Sequence, residues 1–256
     1  MQLDPRASAA GVRLVAHEVL VSTNAEALAL AGRGEQGPLW ITAGHQTGGR
    51  GRRGRTWVSE RGNLFASLLL TDTAPPEHWP ELAFVAALAI HDAVAETAPA
   101  LRPQLSIKWP NDLLLDGAKL AGILIEAESV GGLTAVAAGI GVNCAHHPEN
   151  LTYPATSLAA GGAAIAPDAL LQALSHTMVS RLTQWGRGSG FAAIRAEWLK
   201  HAANIGGDIH VRLAGRELTG RFETVDRMGR LMLRLPAGNL EAITVGELFA
   251  PARVQP

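Results

Sequence analysis

The sequence contains a single cysteine, Cys144, among its 256 residues. One thiol cannot form an intramolecular disulfide framework or a cysteine-based zinc site, so both are excluded, and the scarcity of cysteine agrees with a reducing compartment. With 47% hydrophobic and 18% charged residues, the chain has enough apolar material for one large domain, or for a large and a small one. A disordered tail protein is therefore excluded.

The chain also lacks a segment for export or membrane insertion. Charged residues such as Asp4 and Glu18 interrupt the N-terminal region where a signal peptide would be continuously apolar. The longest apolar run, Leu82 to Ile90, is followed by His91 and Asp92 and is shorter than the roughly 20 residues needed to cross a bilayer. We therefore expect a soluble, cytoplasmic protein.

Net positive charge and lysine are scarce as well. The 22 Lys and Arg residues are balanced by 23 Asp and Glu residues, so no protein-wide positive field would attract nucleic acid or an anionic membrane. Only three of the basic residues are lysine, namely Lys108, Lys119 and Lys200. Because arginine is used nearly everywhere else, we expect the lysines to serve where a compact ammonium group fits and a planar guanidinium does not.

The hydrophobic pattern predicts a mixed α+β domain over residues 1–203 and a small β domain over residues 204–256. The middle strands follow one another as hairpins with Asp116-Gly117 and Gly131-Gly132 turns, which argues against a doubly wound parallel sheet. Helices are predicted over 25–31, 79–97, 167–185 and 191–203. Strands are predicted over 11–20, 39–43, 63–70, 106–109, 113–115, 119–128, 133–142, 210–213, 218–225, 230–235 and 242–245.

The most distinctive local feature is the run Gly49-Arg50-Gly51-Arg52-Arg53-Gly54-Arg55. It has the spacing G-x-G-x-x-G, but a strand follows instead of a helix and the other kinase motifs are absent. Neither a dinucleotide-binding turn nor a kinase glycine loop fits this context. Four closely spaced guanidinium groups repel one another, and the glycines leave the backbone free to fold around a ligand. The run predicts a local site for a small anion, with a solvated basic turn as the alternative.

A second cluster, Lys108-Trp109-Pro110-Asn111-Asp112 followed by Lys119-Leu120-Ala121-Gly122, contains two of the three lysines. A lysine suits a crowded position between a carboxylate and a phosphate. Asn111 and Asp112 could orient a ribose hydroxyl or a water bound to Mg²⁺. The alternatives are ordinary charges at strand ends and an Asx turn that begins a hairpin.

Two further motifs are weak when taken alone. Gly139-Ile140-Gly141-Val142-Asn143 places two glycines at a strand end, where a ligand or another backbone approaches closely. Ser22-Thr23-Asn24 is typical of a helix cap, and the same groups could bind a neutral polar ring, as could Gln46 beside the arginine run.

Taken together and in this order, these motifs resemble those of the biotin protein ligases, which attach biotin to biotin-dependent carboxylases. The resemblance includes Trp57 after the arginine run and Gly246-Glu247 in the β-rich end. It implies a catalytic domain related to class II aminoacyl-tRNA synthetases, a mixed sheet with flanking helices, followed by a small SH3-like β-barrel. It also implies biotin as substrate, ATP and Mg²⁺ as co-substrates, biotinyl-5′-AMP as intermediate and a biotin carboxyl carrier protein as partner.

Carried over to this sequence, the resemblance implies three groups of functional residues. The catalytic residues would be Lys119 and Arg50. The biotin site would comprise Ser22, Thr23, Asn24, Gln46, Gly49, Arg50, Gly51, Arg52, Trp57, Lys119, Gly122 and Gly139. The ATP site would comprise Arg52, Arg55, Lys108, Asn111, Asp112, Lys119 and Asn143, with Asp112 also a weak candidate for Mg²⁺.

Two other functions stay open at this point. A lipoate or octanoate ligase or transferase of the same fold would need fewer polar contacts at the ring end of its site. A nucleic-acid-binding module would use the arginine run on phosphates, against the near-zero net charge. Because only 21 residues precede Ser22, we expect no helix-turn-helix repressor domain. The near-zero net charge predicts no DNA and no membrane partner, while a homodimer is compatible with the sequence.

Overall fold

A computed structural model describes residues 1–130, 133–149, 151–244 and 246–249 of the protein. The first part of the chain contains α1 (Pro5–Ala9), β1 (Arg13–Leu20), α2 (Thr23–Gly32), β2 (Leu39–Gln46), β3 (Leu64–Thr71), α3 (Leu82–Thr97), β4 (Leu105–Lys108), β5 (Asp112–Leu115), β6 (Ala118–Val130), β7 (Leu133–Val142), α4 (Pro167–Trp185) and α5 (Phe191–Lys200). The remainder contains β8 (Asp208–Leu213), β9 (Arg216–Val225), β10 (Leu231–Arg234), β11 (Leu240–Ile243) and β12 (Glu247–Phe249).

These strands form two sheets. The larger has seven strands in the order β1-β2-β3-β7-β6-β5-β4, and the smaller has five in the order β11-β10-β9-β8-β12. In the larger sheet β1 is parallel to β2, whereas the other neighbours are antiparallel. This confirms the predicted mixed sheet and the small C-terminal β unit. Asp116 and Gly117 both have positive φ, 49° and 77°, as the predicted β5–β6 turn requires, while Gly131-Gly132 lies outside the described residues.

Helices cover both faces of the larger sheet. On one face α3 is buried along nearly its whole length, because the sheet lies beneath it and α4 and α5 pack beside it. On the other face α2 packs against Leu39, Ile41 and Leu69. This arrangement explains why residues 82–90 of α3 are apolar on all sides, since a helix segment between two layers has no solvent-facing side, whereas Glu96 near the end of α3 is exposed.

Three boundaries differ from the predicted ones by three residues. The α-helix predicted from residue 79 begins at Leu82, after a 3₁₀ turn over Pro76–Glu81 that includes Pro80; proline has no N–H for the α-helical ladder. The helix predicted to residue 203 ends at Lys200. Strand β2 continues past Ala43 to Gln46 because it still pairs with β1, although its last residues are not apolar. Elements α1 and β12 were not predicted.

The smaller sheet is attached beside β4. The indole Nε1 of Trp109 donates a 3.0 Å hydrogen bond to the carbonyl of Gly229 in the β9–β10 turn. Arg195 of α5 donates to the carbonyl of Val225. No helix in the described ranges combines the length and the apolar character needed to cross a membrane.

Candidate functional site

One cavity, with about 980 Å³ of empty space including its open mouth, brings most of the predicted site residues together. Its wall is built from the start of α2, the end of β2, the arginine run, the β4–β5 turn, and the facing parts of β6 and β7. The predicted residues that line it are Ser22, Thr23, Asn24, Gln46, Arg50, Gly51, Arg52, Arg55, Trp57, Lys108, Asn111, Asp112, Lys119, Gly122 and Gly139. Motifs more than 100 residues apart in the sequence therefore share one site.

Residues 47–57, which we call the arginine strap, cross this cavity as a closed loop. The strap folds back on itself through hydrogen bonds from the Gly51 amide to the Arg55 carbonyl (2.7 Å) and from the Trp57 amide to the Gly49 carbonyl (2.9 Å). Arg53 at φ 57° and Gly54 at φ 72° reverse its direction. The alternation of glycine and arginine thus serves a tight loop that carries several guanidinium groups.

The strap contacts the sheet on both sides of the cavity. The Arg50 guanidinium donates to the Glu126 carboxylate of β6 at 3.1 Å. The Arg52 guanidinium donates to Asn111 Oδ1 in the β4–β5 turn, also at 3.1 Å. The two arginines therefore extend toward opposite ends of the cavity.

At one end, the first residues of α2 form a buried cluster of neutral polar groups. Ser22 is the N-cap of α2, as predicted, and its hydroxyl accepts from the Ala25 amide at 3.4 Å. The Thr23 amide donates to Gln46 Oε1 at 2.8 Å, and Asn24 is 4% exposed. These groups can hydrogen-bond a neutral polar ring.

A buried serine that the sequence did not identify orders this cluster. The Ser67 hydroxyl of β3 lies 2.6 Å from Asn24 Oδ1 and 2.7 Å from Thr23 Oγ1. Because an amide oxygen only accepts, Ser67 donates to Asn24, and the Thr23 hydroxyl can donate to Ser67 or to Gln46 Oε1 at 3.2 Å. The lone pairs of Thr23 Oγ1 are then available to a donor on a ligand.

The glycines of β6 and β7 make room for side chains of the site. A Cβ atom at Gly139 would lie 2.3 Å from Asn24 Oδ1, and one at Gly141 would lie 2.5 Å from the Trp57 ring. At Gly122 a Cβ would be 2.9 Å from Trp57. The sequence predicted close approach at these strand ends, and the approaching groups are Asn24 and Trp57.

Lys119 occupies the other end of the cavity. Its ammonium lies 2.8 Å from Asp112 Oδ1, 5.4 Å from the Trp57 ring centroid and 5.6 Å from that of Tyr153. The side chain is only 18% exposed. The ammonium group therefore lies in a narrow space between two aromatic rings and a carboxylate. This agrees with the expectation that a lysine is used where a planar guanidinium would not fit.

Several lining residues were not predicted. Tyr153 is the only tyrosine of the sequence, and it reaches the cavity because the Lys119 amide donates to the adjacent Pro154 carbonyl. Gly246 and Leu248 bring the smaller sheet to the cavity wall. Two signals were available in the sequence: Tyr153 is its single tyrosine, and Gly246 belongs to the Gly246-Glu247 motif of the β-rich end.

Two predicted residues lie beside the cavity. Gly49 is part of the strap but does not line the cavity, and a Cβ there would meet the Trp57 carbonyl at 2.6 Å. Asn143 is 3% exposed, and its amide donates to the Thr156 carbonyl at 2.9 Å. It faces a smaller adjoining cavity that Lys119 also lines. Lys200, the lysine without a predicted role, pairs with Glu197 on the surface at 2.6 Å.

The charge of the cavity wall is strongly positive. Among the described lining residues, six basic side chains face a single acidic one, Asp112. The described part of the chain contains no group of three or more His, Cys, Asp or Glu residues that could hold a metal ion by itself. Burial raises the pKa of the Cys144 thiol to about 12, so this cysteine is not a nucleophile near neutral pH. The wall is suited to binding an anion by position and charge.

Comparisons with known proteins identify the family of the chain. Residues 18–143 match the biotin/lipoate A/B protein ligase family, and residues 205–249 match the biotin protein ligase C-terminal domain. The chain is 43% identical over 236 residues to a biotin–acetyl-CoA-carboxylase ligase of Paracoccus denitrificans, covering 89% of this chain and 96% of that protein. It is 33% identical to the bifunctional ligase/repressor BirA of Bacillus subtilis, covering 89% of this chain and 71% of that protein.

Solved structures share the fold. A biotin protein ligase from Aquifex aeolicus in complex with biotin and ATP has a TM-score of 0.76 at 24% identity, covering 93% of this chain and 97% of the other. A Helicobacter pylori biotin acetyl coenzyme A carboxylase synthetase with bound biotinylated ATP has a TM-score of 0.59 at 20% identity, covering 90% and 99%.

Proposed function

This chain belongs to the biotin protein ligase family, and we propose that it uses MgATP to join biotin to one lysine of a carboxylase carrier domain through biotinyl-5′-AMP. The observation that carries the proposal is the division of a single cavity into two ends. A neutral polar cluster around Thr23 and Asn24 lies at one end, Lys119 lies at the other, and the arginine strap reaches both. Biotin has the same division, since its ureido ring is neutral and its carboxylate is charged.

We assign the ring end to the ureido group. Ser22 and Thr23 begin α2, where their hydroxyl and amide groups are fixed by capping and by Gln46. Thr23 Oγ1 would accept from a ureido N–H, and the Ser22 hydroxyl would donate to the ureido oxygen. Preorganised partners of this kind bind a polar ring without loss of side-chain entropy.

Lys119 is the main catalytic residue in this proposal. In the first step a biotin carboxylate oxygen attacks the α-phosphorus of ATP, a new oxygen–phosphorus bond forms, and the bond to pyrophosphate breaks. Two anions must approach one another, so the barrier falls where fixed cations neutralise them. Lys119 would bridge the carboxylate and the α-phosphate, while Arg52, Arg55 and Lys108 would bind the phosphates and Asn111 the ribose.

The strap would cover the intermediate. Arg50, Gly51 and Arg52 would close over the valeryl chain, and Trp57 would form a wall against Gly141. Excluding water protects the mixed anhydride from hydrolysis. In the second step a deprotonated carrier lysine attacks the acyl carbon, an amide forms, and AMP leaves with the bonding electrons of the anhydride.

Mg²⁺ would arrive with the nucleotide. Magnesium is usually held by one or two carboxylates together with substrate phosphates, and Asp112 is the single carboxylate among the described lining residues. One carboxylate on the protein therefore fits a Mg²⁺ ion that is bound mainly by the triphosphate of ATP. Bound there, the ion would neutralise the departing pyrophosphate.

We also infer that residues 1–203 form the catalytic domain and residues 204–256 the C-terminal domain, and that the carrier domain approaches the open side of the cavity. The carrier of acetyl-CoA carboxylase is the proposed acceptor. A second copy of the chain is compatible with these assignments and is not required for the chemistry.

Mass spectrometry of a purified carrier domain tests the function directly. After incubation with the protein, MgATP and biotin, the carrier should gain one biotinyl group on one lysine, and omission of ATP should prevent it. A control reaction contains lipoate in place of biotin and is otherwise identical. Transfer of lipoate without transfer of biotin would refute the proposal in favour of a lipoate ligase.

A further inference from the structure

Glu126 of β6 connects the ring end of the cavity to the arginine strap. Its carboxylate accepts a 2.8 Å hydrogen bond from Asn24 Nδ2 and a 3.1 Å hydrogen bond from the Arg50 guanidinium. It is not among the lining residues, and no motif of the sequence includes it. A single carboxylate thus joins α2, β6 and the strap.

We propose that Glu126 is a positioning residue that holds the strap closed through Arg50 and thereby prolongs the lifetime of the bound adenylate. This inference rests on the proposed ligase function. Glu126 would not contact the reacting atoms; it would act by fixing where the Arg50 guanidinium and the Asn24 amide lie.

The partners on one side of Glu126 are rigid. Asn24 is held by Ser67, by the carbonyl of Leu124 at 3.1 Å, and by the space that Gly139 leaves for it. Both hydrogens of its amide nitrogen are therefore used, one on Leu124 and one on Glu126. Glu126 is oriented by this buried network, and it presents its other lone pairs to Arg50.

On the other side of Glu126, the Arg50 side chain can separate from the carboxylate. The Arg50 side chain is 49% exposed and that of Glu126 is 28% exposed. An ion pair at this exposure is weak and reversible, as a strap that admits a substrate and then closes requires. A buried pair would hold the strap shut more strongly but would be costly to open.

The position of the negative charge also supports this role. A carboxylate would oppose catalysis beside the phosphates, but Glu126 lies seven residues beyond Lys119 on the same strand. At about 3.3 Å per residue, and allowing for the β-bulge at Leu120, the backbone positions of the two residues are roughly 20 Å apart. Glu126 can therefore hold Arg50 without repelling the anionic end of the ligand.

The test compares Glu126→Gln with Glu128→Gln. Both substitutions remove one charge from β6, and Glu128 is exposed and serves as the matched control. The adenylate is formed in place from biotin and MgATP with pyrophosphatase, excess ligand is removed, and its release from the protein is followed. KM for biotin and KM for ATP are measured separately.

We expect Glu126→Gln to release the adenylate about three- to fivefold faster, in line with the loss of one partly exposed ion pair. KM for biotin should rise by a similar factor, KM for ATP should not change, and Glu128→Gln should match the wild type. In an Arg50→Ala background, Glu126→Gln should add less than twofold, because its partner is already gone. Wild-type release in Glu126→Gln, or a full additional effect without Arg50, would overturn the proposal.

Hydrogen exchange distinguishes positioning from a general effect on folding. In Glu126→Gln the amides of residues 47–57 should exchange faster, while those of α3 should keep their protection. Faster exchange in α3 as well would make Glu126 a residue of the fold and refute the positioning role. Failure of the proposed function would be seen separately, as a wild-type protein that forms no adenylate.

Discussion

The Lys119 ammonium lies 2.8 Å from the Asp112 carboxylate, across the β5–β6 hairpin and beneath the Trp57 and Tyr153 rings. This pair fixes the direction of the lysine side chain. The same hairpin turns at Asp116-Gly117, so a local turn determines which strand positions face each other. A charged group held in place before the ligand arrives needs no reorganisation during the reaction.

Lys119→Ala should abolish biotin-dependent pyrophosphate release, with a loss of at least 10²- to 10³-fold in kcat, as is typical when a stabilising donor is removed. Because its side chain lies at a cavity and not in the core, the melting temperature should change little. The matched control is Lys200→Ala, which removes a surface lysine paired with Glu197. Near-normal pyrophosphate release in Lys119→Ala would contradict the catalytic role.

Gly141→Ala should displace Trp57, because the new Cβ would lie 2.5 Å from the ring. We expect a loss of about 1–3 kcal/mol in the free energy of unfolding, the usual range for overpacking, and weaker substrate binding. Gly51→Ala is the control, since the nearest atom to its Cβ would be 3.5 Å away. Urea denaturation of both variants measures the difference, and equal stability would argue against the packing of Trp57 on Gly141.

Arg52→Gly should let the adenylate escape before transfer and label lysines other than the carrier's. The reason is the loss of the strap's contact with Asn111. Arg53→Gly removes the same charge from an exposed position whose φ of 57° suits glycine, so it should remain selective. Mass spectrometry of a bystander protein in each reaction reports the leakage. Equal leakage from both variants would indicate that only the charge of the strap matters.

The protein should lose stability at mildly acidic pH through His201. Burial is the largest cause that lowers the pKa of His201 below 6.5, and His91, with ring centroids 3.9 Å apart, adds to it, while Glu197 and Asp92 oppose it. Because the unfolded chain then binds the proton more readily, this stability is present above about pH 6.5 and is lost as the pH falls through the folded-state value. His201→Gln should flatten the dependence of the unfolding free energy on pH below about pH 6.5. The exposed control His210→Gln should keep the wild-type slope.

Trp109→Phe should weaken the attachment of the smaller sheet. The ring would still fill its buried position, but the Gly229 carbonyl would lose the donor that lies 3.0 Å away. We expect a cost of about 1–2 kcal/mol in the free energy of unfolding, measured by urea denaturation. An unchanged midpoint would show that water or another group replaces the indole.

Much of the fold follows from local chemistry. The Asp116-Gly117 turn, the capping of α2 by Ser22 and the apolar periodicity of α3 are each encoded within a few neighbouring residues. Prediction was weaker where pairing continued past the apolar pattern, as at Gln46, and where the short strand β12 depends on its partner β8. Such ends are stabilised by neighbouring strands and not by their own sequence.

The same distinction holds for the site. The sequence by itself determined the arginine strap, the capping residues of α2 and the two lysines, because each depends on residue type and short spacing. Only the tertiary structure decided that Gly139 makes room for Asn24, that Tyr153 stands beside Lys119, and that Glu126 reaches Asn24 across 102 positions of the chain. These contacts depend on strand register and side-chain packing between distant segments, which leave no periodic signal in the sequence around either partner.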